Sequence, residues 1–134
     1  MKETLDAESR SALMTYRLQR SDETLVEAMA DIGHYNAAFN RMYYACYYAV
    51  VALLLKHKIE ASTHAGVKTM LSLHFVAKGK LSAEDGKLFI HLFELRHSGD
   101  YDDFVFCDKA QYDEYLPKAI HFIQSVKSLV AEKV

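Results

Sequence analysis

The chain has 134 residues, a length that suits one domain spanning 1–134, and 51% of them are hydrophobic, enough for a real core. Its formal net charge of -2 excludes a strong whole-molecule field for nucleic acid, although a lysine-rich block over 56–87 precedes an acidic block over 94–114. The N-terminus "MKETLDAESR" carries no apolar signal stretch and "YYAVVALLL" is too short to span a bilayer, so a cytoplasmic protein without membrane association is expected.

One proline and five glycines leave little punctuation for strands and turns. The apolar spacing is helical almost throughout. A first helix is predicted over about 8–32, with Met14, Leu18, Leu25, Met29 and Ile32 as its stripe. Ser21 offers a cap for a second start, so one long helix or two short ones fit. Gly33 is placed to stop it. The second helix is predicted from about 35 to 58. Its centre, "RMYYACYYAVVALLL", is apolar on nearly every face, which predicts a central helix or one that also meets another subunit.

A third helix follows "EAST", capped by Ser62 or Thr63 and ending near Gly79. Ser82 with Asp85 resembles a capping box and opens a fourth helix through about Arg96, with Gly99 suited to the exit. Asp108 with Gln111 marks another start. The last helix carries Leu116, Ile120, Ile123, Val126, Leu129 and Val130, and Pro117 predicts a kink or a late start near Leu116. The sum is an all-α antiparallel bundle of four or five helices.

Few residues offer catalytic chemistry. The seven histidines contain no i,i+4 pair, HExxH or ExxH pattern, so no metal is expected. Cys46 and Cys107 form no CxxC, and Cys46 lies among apolar residues as a small hydrophobe does. No GxSxG and no glycine-rich phosphate loop occurs, and no cofactor is expected.

The second helix is more informative. Asn40, Tyr44, Tyr47 and Val51 share one face, and Arg41, Tyr44, Tyr48, Val51 and Leu55 an overlapping one. Tyrosines there read as core packing, or as the wall of a polar notch with Asn40 and Arg41. Arg96 continues the Phe89–Phe93 row of the fourth helix and needs a partner. Asp100 can pair with it, or an anion such as an RNA phosphate or a nucleotide can take its guanidinium.

Three segments, "NRMYYACYYAVVALLL", "STHAGV" and "LFELRHSGDYDD", occur in an order and at separations that resemble the HEPN domain family, above all its prokaryotic branch with NRxYYA, THxG and RxxxDY motifs. The resemblance spans about residues 15 to 130. It implies a helical bundle that commonly forms a homodimer, with its polar residues near the two-fold axis. It also implies metal-free ribonucleases, many of them toxins paired with a nucleotidyltransferase-like antitoxin, beside non-catalytic binding members. Arg96 matches the family's arginine and Asn40 its polar partner on the second helix. The family's histidine, with four to six residues between it and the arginine, would fall at 101, 102 or 103, where this chain has Tyr101, Asp102 and Asp103. A tyrosine hydroxyl ionises near pH ~10 and is a poor neutral-pH base, and carboxylates repel phosphate.

Taken with the residues, the resemblance favours a binding protein over an enzyme. Asn40, Arg41, Tyr44, Arg96, Asp100 and Tyr101 form its expected polar cluster, with His64 as a secondary candidate. The alternative is a metal-independent ribonuclease centred on Arg96. In family pairs whose partner nucleotidylates a tyrosine near the motif, Tyr101 is the candidate by proximity alone, since the family's tyrosine follows the histidine that this chain lacks.

Overall fold

The structure, a computed structural model, describes residues 5–30, 34–101 and 107–132, and the side chains of residues 30 and 96–101 lie outside that description. Among the described residues the chain forms α1 (Ala7–Ala30), α2 (Tyr35–Lys56), α3 (His64–Leu71) with a π-helical turn (Ser72–Val76), α4 (Ala83–Tyr101) and α5 (Lys109–Ala131). The expected all-α bundle is what forms.

Helix α2 is its axis, packed by α1, α3, α4 and α5. Ala38, Met42, Ala45, Ala49 and Ala52 follow spacings of four, three, four and three residues, and all are fully buried. Their small side chains let α1 approach closely: Ser21, Thr24 and Ala28 are fully buried, and the Ser21 hydroxyl donates to the Ala45 carbonyl at 2.6 Å. Ser21 therefore starts no second helix. It joins one unbroken α1 to α2. The adjacent stripe of α2 carries larger side chains. Tyr43 stacks on Phe89 of α4 (5.7 Å), and Phe89 on Phe122 of α5 (5.5 Å, planes 5° apart). All three rings are sealed from solvent, and each contributes about 1.5–3 kcal/mol by burial.

Most of the apolar perimeter of α2 is buried within the chain, while Tyr44, Tyr47, Tyr48, Val51 and Leu55 stay half-buried. The large apolar side chains left exposed among the described residues are Leu5, Tyr16, Val26, Met29 and Leu73, none of them on α2.

The turns that set α3 and α5 are local. After α2, Lys58 takes a φ of 58°, and the Lys58 and Ile59 amides return to the Leu55 and Leu54 carbonyls (3.1 and 2.9 Å), closing the helix and reversing the chain. Thr63 caps α3 by accepting from the Gly66 amide at 2.9 Å. Asp108 and Gln111 form a reciprocal capping box on α5. Pro117 lies well inside α5, and no late start occurs. It and Asp113, whose carbonyl it leaves without an N–H, are both exposed, so water can take the donor's place. Helix α4 also outruns its expected end near Arg96. Its backbone ladder continues through Gly99 to Tyr101, a position where glycine costs a helix about 1 kcal/mol without stopping it.

Candidate functional site

The THxG turn has a mechanical reading. Thr63 is the N-cap of α3, Gly66 supplies the capped amide, and His64, between them, is the first helical residue. A Cβ at Gly66 would stand 3.0 Å from the Thr63 hydroxyl, tight against the cap. The turn thus aims His64 at α2. Its Nδ1 shares a 2.8 Å hydrogen bond with the Tyr43 hydroxyl. Its ring lies nearly parallel to that of Tyr47 (4.3 Å, 15°) and edge-on to that of Tyr44 (5.7 Å). Phe93 of α4 meets Tyr43 at 6.1 Å, and Lys68 of α3 lies over the Phe93 ring at 4.7 Å. The tyrosines of α2 are therefore both core and wall. Tyr43 is sealed, while Tyr44, Tyr47 and Tyr48 are half-buried.

Asn40 and Arg41 do come together. The Arg41 Nε and Nη2 donate to the Asn40 Oδ1 at 3.1 and 2.5 Å. The same guanidinium lies over the Tyr44 ring (5.5 Å) and 3.7 Å from the Glu27 carboxylate of α1. The structure thus joins Asn40, Arg41, Tyr44 and His64 into one continuous cluster. Arg96, Asp100 and Tyr101 fall where side chains are not described. Their backbone lies on α4, on the last turns beyond Phe93, with Arg96 and Asp100 one turn apart.

The surroundings of Tyr47 disfavour ready proton transfer from its phenol. Burial pushes the Tyr47 hydroxyl above its ordinary range, and the positive charge of Arg17 offsets that only in part. Burial also pushes the Cys46 thiol far up, so it behaves as the small hydrophobe its surroundings suggest. Among the described residues no three histidine, cysteine or carboxylate side chains converge to hold a metal ion.

Two features escaped the sequence reading. Arg17 and Arg20 of α1 both lie over Tyr48, at 5.9 and 5.6 Å. The signal was available: Arg10, Arg17 and Arg20, at spacings of seven and three, share a helix flank. The second is an open groove of about 610 Å³ between the start of α4 and α5, with His91, Tyr115, Lys118 and His121 in its lining. Tyr115 and His91 share a 3.2 Å hydrogen bond there. This groove lies toward the opposite end of α4 from Arg96.

The sequence matches the HEPN domain family over residues 14–129. The chain belongs to the HEPN family. Among its relatives, a protein of Thermotoga maritima named "UPF0332 protein" is 31% identical over 92% of this chain and 95% of its own. A protein of Methanocaldococcus jannaschii named "Putative toxin MJ0142" is 28% identical over 92% of this chain and 91% of its own. A second from that organism, "Putative toxin MJ0605", is 31% identical over 73% and 72%. The HEPN assignment drawn from the three motifs therefore holds. No described helix is long and apolar enough to cross a membrane.

Proposed function

We propose that this HEPN protein is the binding component of a prokaryotic toxin–antitoxin or related module. It acts as a cytoplasmic homodimer, partners a nucleotidyltransferase-like protein, and takes RNA or a nucleotide at the cluster of Asn40, Arg41, Tyr44, Arg96, Asp100 and Tyr101, without efficient catalysis. Toxin-named relatives support the module. The observation that carries the non-catalytic reading is the state of the imidazole. Positions 101–103 lack one, and His64, which belongs to the cluster, is held by the Tyr43 hydroxyl and stacked on Tyr47.

Purified protein incubated with RNA in EDTA tests this. Retained binding, weakened in Arg96→Ala, without cleavage is expected. Cleavage that survives chelation and is lost in Arg96→Ala would overturn it and establish a metal-independent ribonuclease. One observation favours that second reading: fixing Nδ1 and the ring plane is also how an imidazole is oriented for proton transfer. His64→Ala separates the two, abolishing cleavage only if the ring takes part. Co-expression with the product of the adjacent gene should yield a complex, and intact mass would reveal nucleotidylation of Tyr101. Light scattering should give twice the 15.3 kDa chain mass; a species of 15.3 kDa alone would refute the homodimer.

A further inference from the structure

The described arginine side chains are not equivalent. Arg10 donates to the Leu55 carbonyl (2.9 Å), Arg20 pairs with Glu23 (2.8 Å), and Arg41 engages Asn40 and Glu27. Arg17 has rings instead. Its guanidinium carbon lies 5.6 Å from the Tyr16 ring centre and 5.9 Å from that of Tyr48. No carboxylate or carbonyl among the described residues accepts from it, and its Nε, like that of Arg10, is buried without a hydrogen-bond partner. Glu23, on the neighbouring flank, is already engaged by Gln19 and Arg20.

A guanidinium stacked on aromatic faces keeps its in-plane N–H groups for an oxyanion, and a buried one left unpaired is costly. Tyr16, beside it, is 51% exposed, which leaves its ring accessible. Tyr48 lies between Arg17 and Arg20, and the Tyr44, Tyr47 and Tyr48 rings run on from it, 6.0 Å apart in each pair, to His64 and Arg41. Arginines and aromatic rings thus adjoin on one surface, where Glu23 and Glu27 face Arg20 and Arg41 and leave Arg17 as the arginine without a carboxylate, and a cation beside rings is what holds a single-stranded nucleic-acid backbone while bases stack.

We propose that the α1–α2 face is a single-stranded RNA track, with Arg17 as its phosphate anchor and Tyr16 as its stacking platform, continuous with the notch at Arg41 and Tyr44. This rests on the proposed RNA binding at that notch. An acidic peptide would satisfy Arg17 but would leave Tyr16 without a flat partner, so RNA fits better.

The test is fluorescence anisotropy of a short fluorescein-labelled oligouridylate across a salt series, with the full chain. Arg17→Gln should weaken binding about tenfold and flatten the logarithmic salt slope by about 0.7, the value for one phosphate contact on a single strand. Tyr16→Ala, at an exposed position that tolerates truncation, should weaken binding about fivefold or more with the slope unchanged. Should Arg17→Gln not fold, judged by circular dichroism, Tyr16→Ala and Arg17→Lys decide, the latter keeping the slope and losing affinity. Wild-type affinity and slope in all of these would overturn the track, as would absence of oligouridylate binding or equal competition by polyglutamate. Arg96→Ala keeps the two readings apart. Weakening there alone sinks the track and leaves the notch; weakening at Arg17 and Tyr16 alone does the reverse.

Discussion

Among the described residues, two tyrosine–histidine pairs are made of the same atoms, a phenol hydroxyl and an imidazole Nδ1. In the first, Tyr43 and His64 meet at 2.8 Å, Tyr43 has no exposure, and Tyr47 covers the imidazole face. In the second, Tyr115 and His91 meet at 3.2 Å, with His91 exposed and Lys118 over the Tyr115 ring at 5.4 Å, on the wall of an open groove. The groove is an open space of about 610 Å³, yet the tighter construction is at the Tyr43–His64 pair. Desolvation makes the difference. Tyr43 is sealed, so breaking its bond to the half-buried His64 leaves a phenol that water does not reach, whereas water replaces either partner in the groove. Volume alone therefore marks the wrong pair as the built one.

Truncation tests that contrast most severely. Tyr43→Ala removes a ring that stacks on Phe89 and bonds His64, and should cost about 3–5 kcal/mol in urea unfolding. Tyr115→Ala removes a half-buried ring that meets Phe39 edge-on at 5.7 Å, and should cost clearly less, about 1–2 kcal/mol. Equal losses would erase the distinction between the pairs.

Removing only the hydroxyl is a sharper cut. Tyr43→Phe keeps the stack but leaves the His64 Nδ1 without its phenol partner, and about 1–2 kcal/mol should be lost. The histidine ring resonances should shift with it. A variant as stable as the wild type would mean that the bond is readily exchanged with water and that the pair resembles the exposed one.

The cap offers an indirect break. Thr63→Ala removes the acceptor of the Gly66 amide and should cost about 1 kcal/mol. Because His64 directly follows the cap, its ring contact with Tyr47 should loosen as well, read as reduced ring-current shifts. Loss of stability without movement of His64 would show that the tyrosines, and not the turn, hold the ring.

Legibility in the sequence followed the same divide between local and long-range causes. The helices, the Thr63 and Asp108 caps and the central place of α2 could be read because spacing and capping chemistry are local. Ser21 left one long helix or two short ones open for the opposite reason. Its serine looks like a cap until the Ala45 carbonyl, on another helix, comes within 2.6 Å. Pro117 misled because its cost depends on whether the carbonyl it orphans faces water. The adjacency of Asn40, Arg41 and Tyr44 follows from neighbouring helix faces and could be read, whereas only the α2–α3 turn brings His64 to Tyr43. Arg17 and Arg20 were missed because their ring partner, Tyr48, belongs to α2.

The smallest expected effect is the most discriminating about the groove. Tyr115→Phe deletes the hydroxyl bonded to His91 and keeps the ring against Phe39. Since His91 is exposed, water takes up the lost bond, and stability should change by less than about 0.5 kcal/mol. The paired variants Tyr43→Phe and Tyr115→Phe differ only in surroundings, so the difference between their unfolding midpoints isolates desolvation from bond chemistry. A Tyr115→Phe loss matching that of Tyr43→Phe would show that the groove is closed to solvent in solution. The open concavity between α4 and α5 would then be a covered one, with His91 and Tyr115 as a second buried polar pair.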